Sequence, residues 1–315
     1  MARPAARRRV TGPRTVLVVN AAARQAGRAL SRARASLARR GVVLAAEHEV
    51  RDGAALVRAI RRELGRGAAR VVVAGGDGTI SAAAGVLAGT GAALGVLPLG
   101  TANDFARSLR IPSDLDRACA VVARGEVRPV DVAFAGRRPF LNAASAGASS
   151  AAARRLTPGL KRRAGALAYP VAAAGAARAG PFEARLEADG AVLEGWAVEL
   201  VVGNGRYRGG GRLVAPRARP DDGRLDVYLV TAGEGRAPPG PVRRWAVLAR
   251  YAARLLRGRH LEDPRVHHAR AARVTVATRP RLELNLDGEL AGWTPAEIRV
   301  APGALRVLAP PPRRR

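Results

Sequence analysis

From Thr15 to about Val132, short β-branched runs alternate with stretches whose apolar residues recur at helical spacing. That alternation restricts the segment to βαβ units around a mainly parallel sheet. Strands are expected at 15–19, 42–45, 70–74, 93–97 and 127–132. Between the second and third, Leu56, Val57, Ile60 and Leu64 fall on one side of a helix and Arg58, Arg61, Arg62 and Glu63 on the other, the pattern of a surface helix.

After Phe134 the texture changes to shorter apolar runs punctuated by glycine and proline, at 139–142, 182–188, 192–203, 225–230, 273–276 and 282–286. Regularly spaced short strands favour a sandwich-like β domain. Helical stretches at 160–178 and 242–256 interrupt it, and 234–241 reads as a loop. The expected organisation is α/β plus β: an α/β domain over 13–132, a β-rich domain over 133–308 whose last strand can return to the first, and basic flexible tails at 1–12 and 309–315.

The chain of 315 residues is 48% hydrophobic, enough for the cores of two domains. Its formal charge is +29, and Lys161 is its only lysine. Such a surface attracts phosphates of nucleotides or anionic lipids, although the same Arg, Ala, Gly and Pro enrichment also fits a compositional bias. Aromatic residues make up 3% and are scattered, which argues against nucleic acid, whose readers stack bases on aromatics. The lone Cys119 excludes an intramolecular disulfide and a cysteine-rich metal cage, and points to reducing cytosol. The apolar run at 16–19 behind the basic opening is too short for a signal-peptide core, and the alanine-rich run at 164–177 contains Pro170 and is too short to span a bilayer. A cytoplasmic protein that visits the inner face of the membrane peripherally is expected.

The segment from Val71 to Thr79, VVVAGGDGT, runs from a strand into a glycine-rich turn and then an alanine-rich helix. Glycines there let backbone N–H groups approach phosphate oxygens, and the helix points its positive end at the same oxygens. Asp77 could hold a nucleotide-bound Mg²⁺. The turn is neither a Walker loop nor G-x-G-x-x-G. A second segment, LPLGTANDFAR from Leu97 to Arg107, follows the next strand and belongs at the same sheet edge, where ligands of open α/β sheets collect. Asn103 and Asp104 also serve as credible helix caps.

Together these two segments closely resemble the diacylglycerol kinase catalytic family, the bacterial lipid kinases related to sphingosine and ceramide kinases. The resemblance continues through Phe140-Leu141-Asn142, Gly203-Asn204-Gly205-Arg206, Gly209-Gly210-Gly211, Ala215-Pro216, Asp221-Asp222-Gly223 and Leu286-Asp287-Gly288-Glu289. It implies an interdomain active site that uses ATP and Mg²⁺. Nucleotide contacts would come from Gly75, Gly76, Asp77, Gly78, Thr79, Ile80 and Ser81, and from Thr101 and Asn103. Glu289 would be the general base, working with Asp77 on a lipid alcohol such as diacylglycerol or phosphatidylglycerol at an anionic membrane surface. A structural Mg²⁺ maps onto Asp222 and the main-chain carbonyls of Arg219 and Arg224; a plain turn is the other reading of Asp222. His48 falls where some relatives carry a nucleotide-contacting threonine, the alternative being an ordinary strand-edge histidine. Ser81-Ala82 replaces the family's usual Asn-Glu, and Ala21 replaces a proline in the 20–27 turn.

An NAD or sugar kinase can share the Gly-Gly-Asp-Gly-Thr turn, and a regulator without turnover would bind nucleotide or lipid only. Oligomeric state stays open, a homodimer included. His260, His267 and His268 lack a second ligand group at metal spacing, and Ser145, Ser149 and Ser150 lack a nucleophile elbow.

Overall fold

The computed structural model describes residues 12–21, 26–155, 179–233 and 237–311. The expected helical stretch at 160–178, most of both tails, and parts of the 20–27 turn and the 234–241 loop lie outside the described residues.

The first domain places β1 (Thr15–Asn20), β2 (Leu44–Val50), β3 (Arg70–Gly75) and β4 (Ala93–Pro98) in the order β2-β1-β3-β4, all parallel. The helices are α1 (Ala26–Arg39), α2 (Gly53–Gly65), α3 (Asp77–Leu87), α4 (Asp104–Ser108) and α5 (Leu115–Arg124). β1, β3 and β4 are buried along almost their whole length, which is why they read as unbroken apolar runs. The edge strand β2 alternates half-buried with exposed residues, so it spans Leu44 to Val50 and not the 42–45 expected from its apolar start. α2 is capped by Asp52, whose Oδ1 accepts from Ala55 N at 2.7 Å, and α5 by Asp114, accepting from Arg117 N at 2.9 Å.

The strand expected at 127–132 is β5 (Glu126–Ala135), and it runs antiparallel to its partner. No crossover helix follows it. The chain turns back instead through β6 (Arg138–Phe140) into β7 (Ala143–Gly147) and α6 (Ala148–Arg155).

The second domain continues with β8 (Phe182–Ala188), β9 (Ala191–Gly203), the small hairpin β10 (Tyr207–Arg208) and β11 (Arg212–Leu213), and β12 (Leu225–Gly233). Then come α7 (Pro241–Leu256), β13 (Val266–Ala271), β14 (Arg273–Arg279), β15 (Glu283–Leu286), β16 (Glu289–Trp293) and β17 (Ala296–Ala309). Two long strands organise it. β9 pairs β8 with its first part and β7 with its last, so the sheet turns a corner along it. β17 pairs β14 through 296–299, and its far end pairs β4 in parallel through Arg306 and Val307. One core surrounds the parallel sheet and includes Leu305, Val307 and Leu308 of β17; the other fills the β domain around Phe140, Phe182, Leu186 and Leu200.

The crossing of β17 between domains is held by buried Asp131 on β5. Its Oδ1 accepts from Gly303 N and its Oδ2 from Gly223 N, both at 2.7 Å, while its own N donates to Pro220 O. Gly303 sits at φ 57°, in the left-handed region where glycine avoids strain.

Candidate active site

β3 and β4 end side by side, and the two loops that follow them touch backbone to backbone. A β-carbon on Gly100 would lie 2.6 Å from Gly76 Cα, and one on Gly75 would meet the Thr79 side chain at 2.7 Å. Only glycine permits this approach. Asn103, at φ 50°, folds the second loop onto itself: its Oδ1 accepts from Gly100 N at 2.9 Å and its Nδ2 donates to Gly100 O at 2.8 Å. From the end of β1, Asn20 Nδ2 donates to Thr79 Oγ1 at 2.9 Å. Three consecutive strand ends of the sheet therefore brace one turn. Beside it opens a cleft of about 1330 Å³ lined by Thr101 and Asn103 and by Arg32, Arg107 and Arg110, a cationic setting suited to phosphates.

Asp77 is the first residue of α3, and its Oδ1 accepts from Phe105 N at 3.0 Å. Burial, with help from the neighbouring Asp104 and Asp287 carboxylates, pushes its carboxyl up to about 6. The two neighbours do structural work. Asp104 Oδ1 accepts from Gly211 N at 2.6 Å and its Oδ2 from Gly210 N at 3.1 Å, which draws the turn of the β10–β11 hairpin over the site.

Asp287 lies in the tight turn between β15 and β16 at φ 50°. Its Oδ2 accepts from Ser81 Oγ at 2.6 Å and from Leu141 N at 2.7 Å, and its Oδ1 from Asn142 N at 2.9 Å and Ala143 N at 3.0 Å. One carboxylate thus joins α3 of the first domain, through Ser81, to the 141–143 segment of the second. Asp287→Asn keeps a side chain that tolerates left-handed backbone but turns an amide donor against two of those four donors. A loss of about 2–4 kcal/mol in urea unfolding is expected.

The same turn delivers Glu289. Its exposed carboxylate rests on the glycine turn so closely that a β-carbon on Gly78 would overlap Oε1 and lie 3.3 Å from Cδ. Gly75, Gly76, Asp77, Gly78, Thr79 and Glu289 are thereby brought together, with Thr101 and Asn103 on the adjoining loop. Ile80 and Ser81 are not part of the open face: Ile80 packs in the core at 3% exposure, because helical geometry turns it inward, and Ser81 is spent on Asp287.

His48 stands apart. Its Nε2 is 3.2 Å from Oε1 of buried Glu63, which also binds Arg14 and Arg66, so the imidazole completes a charge cluster against α2. It lies opposite Val18, two positions before the end of the β1–β2 ladder. Asp222 is also apart. Its Oδ2 is paired with the Arg270 guanidinium, and its Oδ1 accepts from Arg224 N at 3.1 Å. Arg219 Nε turns to Asp221 Oδ1 at 3.6 Å. Both Asp222 oxygens are engaged here, so a cation held by Asp222 would have to displace the Arg270 guanidinium.

The histidines of the second domain occupy separate settings: His260 Nε2 lies 3.0 Å from Val214 O, His267 Nε2 3.1 Å from Thr231 Oγ1, and His268 Nε2 3.0 Å from Asp226 Oδ1. Ser149 Oγ donates to Ser145 Oγ at 2.9 Å, and Arg208 Nη1 donates to the same oxygen. Behind them, Glu199 accepts from Ser149 N at 2.8 Å and is pushed up to about 7 by burial. Nothing in the sequence flagged Glu199 or Arg208, because their relation exists only across folded strands.

Residues 14–135 match the diacylglycerol kinase catalytic domain, and residues 142–309 match the YegS C-terminal NAD kinase beta sandwich-like domain. Among known proteins, the chain is 36% identical over 258 residues to the "Probable lipid kinase YegS-like" of Pseudomonas aeruginosa (strain UCBPP-PA14), covering 80% of each. It is 32% identical over 232 residues to the diacylglycerol kinase of Bacillus subtilis (strain 168), covering 72% of this chain and 73% of that one. A crystal structure of a diacylglycerol kinase from Bacillus anthracis str. Sterne superposes with a TM-score of 0.71 at 26% identity, over 95% of this chain and 97% of the other. Fold and matches define the class, a lipid kinase with an α/β catalytic domain and a β-rich second domain. The chain belongs to the diacylglycerol kinase family.

Proposed function

We propose that the protein transfers the γ-phosphate of ATP to the hydroxyl of diacylglycerol or a related lipid alcohol, acting from the cytoplasmic side at the membrane surface. The observation that carries this reading is the Glu289 carboxylate of the second domain resting on Gly78 in the phosphate-type turn of the first. A base within reach of the transferring phosphoryl group is what an alcohol acceptor requires.

The turn from Gly75 to Thr79 and the N-terminal end of α3 orient the triphosphate, and Arg32, Arg107 and Arg110 balance its charge from the cleft wall. Glu289 takes the proton of the lipid hydroxyl as that oxygen bonds to the γ-phosphorus. The bond from the γ-phosphorus to the β–γ bridging oxygen breaks, and ADP leaves. Asp77 suits a nucleotide-bound Mg²⁺, because burial beside two other carboxylates leaves it short of positive charge; the ion supplies charge neutralisation at the transferring group. Among the described residues no group of three or more His, Cys, Asp or Glu side chains is disposed to hold a metal, so phosphate oxygens would complete its shell.

The Asp77 carboxyl gives the reading a pH signature. Its folded value of about 6 stands above its ordinary 3.8, so the folded protein holds this proton more tightly than the unfolded chain. The stability it contributes is full below about 4 and disappears as pH rises through about 6. Mg²⁺–nucleotide binding follows the opposite course, weakening by up to about tenfold per unit as pH falls below 6. Calorimetry of Mg²⁺ with a non-hydrolysable ATP analogue between pH 5 and 8 checks this, and Asp77→Asn is expected to flatten the profile.

Radiolabelled ATP offered with a panel of lipid alcohols in mixed micelles, and separately with NAD, tests the function. A phosphorylated lipid is the expected product. Phosphorylated NAD, or binding of ATP and lipid with no product, would overturn the assignment.

A further inference from the structure

α7 carries two apolar faces where a surface helix needs one. Its inner face, with Val247, Leu248, Tyr251 and Leu255, packs on the β domain. At 100° per residue, Val242, Trp245, Ala249, Ala252, Ala253 and Leu256 fall on a second stripe along the outer side, and all six are exposed. Val242 is 82%, Leu256 76% and Trp245 48% exposed. Arg243 and Arg257 flank that stripe on one side, with Arg250, which pairs with Asp263 at 2.6 Å, midway between them in a row repeating every seventh residue.

We propose that this outer face is the surface by which the enzyme lies on an anionic lipid bilayer. Helices that rest in a membrane interface combine a Trp-bearing apolar stripe with a neighbouring row of cations. Here the charge complementarity is on the helix itself and is reinforced by the +29 charge of the chain. No helix among the described residues is long and apolar enough to cross a membrane.

The position of the stripe also serves the chemistry. Just beyond the end of α7, a β-carbon on Gly258 would lie 3.8 Å from Leu213 Cδ2 of β11, and the turn of that same hairpin donates from Gly210 and Gly211 to Asp104 beside Asp77. A bilayer touching Leu256 would therefore present its lipids next to the hairpin that covers the active site. Choosing lipid as the occupant rests on the lipid-kinase reading, but the binding is measurable without catalysis.

The test is co-sedimentation of the full-length protein with vesicles of phosphatidylcholine containing about a third phosphatidylglycerol, alongside vesicles of phosphatidylcholine alone. The wild type is expected to bind the anionic vesicles. Val242→Ser/Trp245→Ser/Leu256→Ser should weaken that binding at least about tenfold, and Arg243→Gln/Arg257→Gln should weaken it and reduce its salt dependence. All five positions are exposed and outside the catalytic machinery, so activity on a short-chain, water-soluble lipid alcohol should be unchanged while activity on vesicles falls. With Trp196 and Trp293 replaced by Phe, Trp245 emission should shift to the blue when vesicles are added and be quenched by brominated lipid.

Vesicle binding unaffected by the triple serine variant would overturn the proposal, as would a wild type that binds neither vesicle. A Trp245 already shielded from iodide before lipid is added, or a triple variant whose change is in oligomeric state, would assign the stripe to another occupant and overturn it equally. If binding follows the stripe and no lipid is ever phosphorylated, the kinase reading fails and the docking face stands.

Discussion

Glu289→Gln is expected to slow lipid phosphorylation by about 10²–10⁴-fold while leaving nucleotide affinity within a few fold of wild type. Glutamine has the shape of glutamate but cannot accept the hydroxyl proton. Glu289 is exposed at the start of β16, and the hydrogen bonds that hold its turn belong to Asp287 and Asn285, so the exchange should leave the fold in place. The loss should appear in kcat, with KM for ATP little changed. Steady-state kinetics on mixed micelles decides the matter; a variant that retains wild-type kcat would remove Glu289 from the chemistry.

Gly78→Ala should be nearly as damaging by a different route. A methyl at this position overlaps the end of the Glu289 side chain, which is flexible and can retreat, and nothing in the backbone has to move. Alanine also favours the helix over glycine by about 0.5–1 kcal/mol. The expected variant is therefore as stable as the wild type or slightly more so, yet slower by about 10²-fold, because a base displaced by about 1 Å no longer meets the hydroxyl. Thermal unfolding measured beside kcat separates this from simple misfolding, and a wild-type rate in a folded protein would contradict the placement of the carboxylate.

Much of the first domain was legible because β1, β3 and β4 are buried on both sides and their sequences are uniformly apolar. The bounds of β2 were misplaced because an edge strand carries charge on its open face: Glu47, His48 and Glu49 lie beyond the apolar start but alternate cleanly between faces. The direction of β5 was not legible at all. It depends on a partner, β17, from the other end of the chain, and no local pattern encodes an antiparallel pairing over that separation.

The site divides along the same line. The glycine turn announces itself locally, since close backbone approach demands particular residue types in a particular order. Glu289 came from resemblance alone, because an exposed glutamate in a hairpin has no signature until the hairpin is docked. Asp104 and Asp287 stood inside quoted motifs, but their work across the domains, Asp104 accepting from Gly210 N and Gly211 N and Asp287 from the Ser81 hydroxyl, could not be read from motif letters. Ile80 also came from the resemblance, and only the docking of α3 on the sheet shows its side chain packed in the core. His48 and Asp222 have polar neighbours, Glu63 and Arg270, that only the fold brings to them.

The claim beneath all of this is that Gly78 and Glu289, from different domains, act as one catalytic unit. A double-mutant cycle in kcat tests it most directly. If the methyl at position 78 acts only by displacing the Glu289 carboxylate, Gly78→Ala/Glu289→Gln should be no slower than Glu289→Gln alone. Losses that multiply in the double variant would mean that the two residues work independently, and would contradict the account.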